Sequence, residues 1–242
     1  MDGHVTMAGD LVLRPVRPWT AALHAFFVHL REQGLECIPE PVGIRGDIEA
    51  VTHIPGDAGP DAWRHQVSET ALISAAALLR QIHDASVGFV PPHETQWAFA
   101  PSPGADVVCH GDPGPWNFVW RNGVAVALID WEHAAPAPAL DDVAACLDSF
   151  VPFRPDDVAL RHGFDEPPDR WARMRTFAAA YGTGGTAGLV DRVIDRQQLT
   201  VSRVLDLAER GLEPWASWVQ SGGLEDLRGR TRWTREHRHL FE

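Results

Sequence analysis

Two aspartates and an asparagine, set at fixed intervals among turn-forming residues, are the side chains of this sequence best suited to chemistry. They lie in Cys109-His110-Gly111-Asp112-Pro113-Gly114-Pro115-Trp116-Asn117 and, thirteen residues past Asn117, in Ile129-Asp130-Trp131-Glu132. The first run reads as a strand, Val107 to Cys109, opening into a loop that re-enters a strand at Phe118 to Trp120. Val124 to Ile129 reads as a further strand, and Arg121-Asn122-Gly123 is a hairpin turn between the two. Antiparallel pairing sets the start of one strand beside the end of the other, so Asn117 and Asp130 come to the same end of the hairpin. Moving a phosphoryl group onto a hydroxyl requires an acceptor for the hydroxyl proton and divalent metal to neutralise the group in transit. Asp112 fits the proton acceptor, and Asn117 and Asp130 offer hard oxygen ligands for Mg²⁺. Singly, each is an ordinary turn residue; the joint spacing, with His110 in front, carries the reading.

HGDPGPWN followed by IDWE resembles the HGDxxxxN and IDxxx signatures of the aminoglycoside phosphotransferase family. Leu78-Leu79-Arg80-Gln81-Ile82-His83 is similar to the family's helix before the catalytic loop, and Pro138-Ala139-Leu140-Asp141-Asp142-Val143-Ala144 to its segment after the metal aspartate. The resemblance covers most of the chain and is closest over residues 106–145. It implies an α+β, bilobal protein-kinase-like fold. Residues 1–56 would be a small, truncated, β-containing nucleotide-binding lobe, and residues 57–242 a larger, mainly helical lobe with the catalytic hairpin and the acceptor site. It also implies ATP or GTP as phosphate donor with Mg²⁺, and a small-molecule hydroxyl substrate, such as an aminoglycoside or other cationic alcohol, in an acidic pocket. Asp142 matches the buried aspartate that braces the catalytic loop, and His110 is read as structural support that bonds loop backbone.

In the small lobe the resemblance implies that a lysine or arginine on a strand meets the nucleotide phosphates. The sequence has no lysine, so all 21 basic residues are arginines, and Arg14 on Leu11-Val12-Leu13-Arg14 is the best placed. Its carboxylate partner is expected on the following helix, where none is evident. His24 is the nearest polar stand-in, and Glu32 lies too far along. Thr52, His53 and Ile54 match the hinge whose backbone would bind the adenine edge. Met1 to Asp10 is shorter than the family's phosphate-covering hairpin requires. That shortness, the absent lysine and the absent helix glutamate motivate a rival, a non-catalytic kinase-like ligand-binding protein, which the intact Asp-Asn-Asp set opposes.

The elements that must position these residues are legible in the apolar spacing. Leu23, Phe26, Phe27 and Leu30 predict a helix over 21–33 with Thr20 as its N-cap and Gly34 as its stop. Strands are expected at 42–44 and 50–54 around the turn Arg45-Gly46-Asp47. Residues 55–60 read as a linker, followed by a long helix over 66–83 and a loop over 85–105. Helices are expected at 141–150, 171–181, 189–209 and 215–220. Trp116 and Trp131 are candidates to shape the acceptor cleft.

Composition narrows the partners. A net charge of -12 argues against a nucleic-acid backbone, since a polyanion binder needs an electropositive face. No run approaches the roughly 20 apolar residues of a membrane span, and MDGHVTMAGD lacks the order of a signal peptide, so the cytoplasm is the expected compartment. Three dispersed cysteines imply neither a disulfide framework nor a zinc site. Nothing in the sequence sets an oligomeric state.

Overall fold

Four short strands near the start of the chain make one antiparallel sheet in the order β1-β2-β4-β3. They are β1 (Thr6–Ala8), β2 (Leu11–Pro15), β3 (Pro41–Arg45) and β4 (Ile48–Thr52), in a computed structural model that describes residues 5–242. Arg45 pairs with Ile48 across a two-residue turn in which Gly46 takes a φ of 64°. Between β2 and β3 runs α1 (Thr20–Glu32), whose Leu23, Phe26, Phe27 and Leu30 are buried at helical spacing. Thr20 is the first helical residue rather than the cap; Trp19 holds the cap position, and the Thr20 hydroxyl accepts the Arg17 N–H at 2.9 Å.

Residues 60–67 form a 3₁₀ helix, and α2 (Glu69–Ser86) starts three residues later than its apolar pattern predicts. The Ser68 side chain fixes that start by accepting the Ala71 N–H at 3.4 Å, as an N-cap does. Two small ladders then flank the site. β6 (Phe118–Arg121) pairs with β7 (Val124–Leu128), and β5 (Val107–Cys109) pairs with β8 (Ala135–Ala137), so that Cys109 lies opposite Ala135. The β6–β7 turn is Asn122-Gly123, both left-handed at φ 51° and 75°, the conformation a two-residue hairpin loop needs.

The helical remainder comprises α3 (Ala139–Phe150), α4 (Asp156–Arg161), α5 (Arg170–Tyr181), α6 (Leu189–Glu209), α7 (Trp215–Gln220) and α8 (Gly223–Glu236). One hydrophobic core joins α1 to these elements. Its junction is Trp131, which meets Phe26 and Phe27 edge-on at 5.6 and 5.8 Å. Trp131 is therefore a core residue and not a wall of the acceptor cleft. Among the described residues no helix is long and apolar enough to cross a membrane.

Candidate active site

The loop from His110 to Asn117 is held by buried polar groups, each with a partner. Gly111 takes a φ of 86°, and a β-carbon there would fall 2.3 Å from the His133 carbonyl oxygen, so only glycine allows the close approach. The carboxylate of Asp142, on the first turn of α3, accepts the N–H groups of His110 at 2.6 Å and Gly111 at 2.9 Å. Its remaining contact is His83 Nε2 at 3.2 Å, and His83 Nδ1 meets the Tyr181 hydroxyl at 2.7 Å. Burial pushes the Asp142 carboxyl up, but the His83 bond, the neighbouring imidazoles and the Gly111 N–H outweigh it and hold it below the usual range. His110 is fully buried, which lowers its basicity. As a neutral ring it accepts the Asp112 N–H on Nδ1 at 3.1 Å and donates from Nε2 to the Ile129 carbonyl at 2.8 Å. One imidazole thus ties Asp112 to the residue before Asp130.

His83, Cys109 and Asp142 bring one potential ligand atom each within 4.8 Å of one another. They serve the bracing network instead. The Cys109 thiol donates to the Pro138 carbonyl at 3.3 Å, and burial raises its pKa well above the ordinary value, so the thiolate a metal requires is disfavoured.

Asp112 and Asn117 touch directly. Asn117 Nδ2 donates to the Asp112 carbonyl oxygen at 2.8 Å and to its Oδ2 at 3.0 Å, and Trp116 Nε1 reaches the same Oδ2 at 3.1 Å. With the amide nitrogen so engaged, Asn117 Oδ1 accepts no bond from the described residues. The Ile129 N–H donates to the Asn117 carbonyl at 2.8 Å, which brings Asp130 to the same end of the hairpin. Asp130 has left-handed backbone at φ 62° and ψ 60°, sparse for a non-glycine residue, and its carboxylate has no hydrogen bond or ion pair among the described residues. Loss of solvent raises the Asp112 pKa to about 6, against the Trp116 N–H and the Arg196 charge. Loss of solvent, then the charge of Glu132, raises that of Asp130.

On the sheet side of Asp130 is a cleft of about 370 Å³, lined among others by Arg14, Glu49, His53, Ile54, Asp130 and Glu132. Arg14 and Glu49 sit opposite each other on β2 and β4, with Nε to Oε1 at 2.8 Å. His24 Nε2 from α1 reaches the other oxygen of Glu49 at 2.7 Å. Burial would raise the Glu49 carboxyl, but the His24 bond and the Arg14 and His24 charges hold it below the usual range. Both terminal nitrogens of Arg14 are left without a protein acceptor among the described residues. At the expected hinge, Thr52 N donates to Glu40 O at 2.9 Å and His53 N to Asp10 O at 2.8 Å. Ile54 N finds no partner among the described residues. On the far side of Asp112 a smaller cavity of about 160 Å³ lies between α6 and α7.

The model of the phosphotransferase enzyme family matches residues 93–177. The trifolitoxin immunity protein of Rhizobium leguminosarum bv. trifolii is 32% identical over 254 residues, covering 98% of this chain and 93% of that one. The chain belongs to the phosphotransferase enzyme family. Its fold is similar to a choline/ethanolamine kinase family protein from Mesorhizobium loti, with a TM-score of 0.57 at 15% identity over 98% of this chain and 90% of that one. It is likewise similar to the GDP and kanamycin complex of APH(2")-IIia, with a TM-score of 0.56 at 16% identity over 93% and 87%. The α+β, protein-kinase-like architecture of these phosphotransferases is the architecture found here.

Three features of this family member depart from the sequence expectation. The carboxylate partner of Arg14 comes from the neighbouring strand, as Glu49, and the helix contributes His24 to that same carboxylate. Strand register was the signal that could have found it, since residues three before the expected hinge face β2. The cavity beside Asp112 is not acidic: apart from Asp112 its ionisable residues are His133, Arg196 and Arg203. Its aromatic walls include Trp215 and Trp218, not Trp131, while Trp116 stacks on Trp63 with centroids 4.5 Å apart.

Proposed function

We propose that this protein moves the terminal phosphate of a magnesium-bound nucleotide, ATP or GTP, onto a hydroxyl of a small molecule. The observation that carries the reading is the Asn117 amide: its nitrogen is committed to Asp112 while its oxygen stays open, at the end of the hairpin where the Ile129 N–H bond to the Asn117 carbonyl also brings the unpaired carboxylate of Asp130. Two hard oxygens without a competing cation fit Mg²⁺, so Asn117 and Asp130 would hold it. When bound, the metal supplies neutralising charge to the phosphoryl group in transit.

The chain's own residues account for the remaining work. Residues 1–56 would be the nucleotide lobe and residues 57–242 the lobe that carries Asp112 and the acceptor. Arg14, fixed by Glu49 through Nε, presents its free nitrogens to the phosphates. Thr52, His53 and Ile54 border the cleft for the base, with the unbonded Ile54 N–H as donor. Asp112 accepts the hydroxyl proton as the hydroxyl oxygen bonds to phosphorus and the bond to the nucleotide's bridging oxygen breaks. Its raised basicity suits that step, while at neutral pH most of it remains ionised. His110 and Asp142 hold the loop and take no proton from substrate.

The test is a screen of hydroxyl compounds for nucleotide consumption, repeated with Asp112→Ala. Phosphorylation should fall by about a thousandfold or more with the fold retained; unchanged turnover in the variant overturns the assignment of Asp112. The likeness to an immunity protein supports a protective role, in which phosphate transfer disarms a harmful hydroxyl compound. Such protection should be lost in cells carrying Asp112→Ala.

A further inference from the structure

Resting on the phosphotransferase reading, the charge of the cavity beside Asp112 says what kind of acceptor it takes. Arg196 and Arg203 stand seven residues apart on α6, two turns along one face, with Thr200 between them. Arg196 braces the loop: it donates to the Gly111 carbonyl oxygen and, at 3.0 Å, to the Thr200 hydroxyl. Arg203 lies with its guanidinium carbon 4.3 Å from the centre of the Phe99 ring. Among the described residues it has no hydrogen bond, and no carboxylate comes within 4.0 Å of either arginine. Asp142 and then Asp141 act on Arg203 by charge at longer range, and Asp112 and Asp141 act on Arg196, but none of them bonds either guanidinium, so the donors of Arg203 stay open.

Burial, then the charge of Arg196, lowers the pKa of Arg203 to about 10, so it remains a cation at neutral pH. His133, the other basic group on the wall, is pushed down by burial to about 4 and is neutral there. The rest of the lining is largely apolar, with Leu207 one turn past Arg203 on α6 and Trp215, Trp218 and Leu227 from α7 and α8. In a protein of net charge -12, two guanidiniums are thus concentrated next to the proposed base. A cationic alcohol entering here would meet two guanidiniums against the single carboxylate of Asp112, whereas an oxyanion would meet a planar fork of donors.

We infer that the acceptor is a small anionic alcohol, about one ring in size, whose carboxylate or phosphate is held by Arg203 with Arg196 while its hydroxyl faces Asp112 and its apolar body lies against Trp215 and Trp218. The cavity of about 160 Å³ has room for a benzene-sized group. The acceptor therefore differs in charge from the cationic alcohols expected at the level of the family.

The experiment uses the full chain with Mg²⁺-nucleotide and four probes on one scaffold: a hydroxymethyl-substituted benzoate, its amide, the corresponding benzylamine and the corresponding phenyl phosphate. Binding is read by tryptophan fluorescence and calorimetry, independently of turnover. The benzoate or the phenyl phosphate should bind roughly ten- to a hundredfold tighter than the amide and amine, as expected for a hydrogen-bonded charge pair. Which of the two wins tells carboxylate from phosphate. Arg203→Gln should erase the preference and leave Mg²⁺-nucleotide affinity in place, and Arg203→Lys should restore part of it. Amine binding as tight as the acids, absence of binding by both anions at millimolar concentration, or an unchanged preference in Arg203→Gln overturns the inference. Anion binding that depends on Arg203 but gives no phosphorylated product upholds it and counts instead against the phosphotransferase reading.

Discussion

Glu49 shows how one carboxylate can hold two basic groups in place. Its oxygens are divided between Arg14 and His24, and only 2% of its surface is exposed, so replacement by glutamine keeps the shape and removes the charge both partners need. Glu49→Gln should lower stability by about 1–3 kcal/mol and raise the KM for nucleotide more than it lowers kcat, because Arg14 loses its anchor. Thermal melting and steady-state kinetics check both. Asp142 gives a prediction in pH. Its folded pKa is depressed, so its contribution to stability is complete above the unfolded value of about 4 and is lost as pH falls through the folded value. Asp142→Asn should therefore be less stable than wild type by on the order of 2–3 kcal/mol at neutral pH, with the gap closing below about pH 4. A constant gap down to acid pH in denaturant titrations would mean that the charge of Asp142 is not what braces the loop.

At the scale of elements, the catalytic loop depends on a backbone conformation as much as on side chains. Gly111→Ala introduces a β-carbon 2.3 Å from the His133 carbonyl oxygen at a φ of 86°, so the loop at Gly111 or the backbone at His133 must shift. The expected result is a folded protein destabilised by about 2 kcal/mol or more, with phosphorylation reduced beyond what that loss explains. Circular dichroism and activity at a temperature below its melting point separate the two effects. This part of the molecule was legible because its chemistry and its turns are local: His-Gly-Asp, Asn-Gly and the closing Asp130 each sit where a short-range rule puts them. The start of α2 moved because the Ser68 cap decides it rather than the apolar spacing, and α1 starts one residue early, at Thr20. β1 and β8 are three residues each and exist only through their partners β2 and β5, which no local pattern encodes. α4 is short, and α8 carries charges on nearly every side, with little apolar stripe to reveal it. The Arg14–Glu49 pair and the arginine cavity are long-range in the same sense, since register across the sheet and the packing of α6 against the loop join residues 35 and 85 positions apart.

For the molecule as a whole, the question is whether nucleotide couples the sheet to the helical body. Phe26 and Phe27 of α1 pack on Trp131, one residue past Asp130, and α1 is tied to the sheet by the His24–Glu49 bond, so α1 links the sheet to the segment that carries the proposed metal ligand. Heating should accordingly give one cooperative transition. A ligand that binds only the folded state at about a hundred times its Kd adds roughly 2.7 kcal/mol. For a chain of 242 residues that corresponds to a rise in Tm of about 5–10 °C with Mg²⁺-ATP or Mg²⁺-GTP. The metal-dependent part of the rise would come from the proposed ligands, Asp130 and Asn117. Asp130→Ala should lose it, and adding EDTA to the wild-type protein should bring its shift down to that of the variant. Asp112→Asn should keep most of the rise, because Asp112 lines the cavity proposed for the acceptor and not the cleft proposed for the nucleotide. An equal loss of the shift in Asp130→Ala and Asp112→Asn would mean that the two carboxylates serve one binding function, and the division of labour between base and metal ligand would fall.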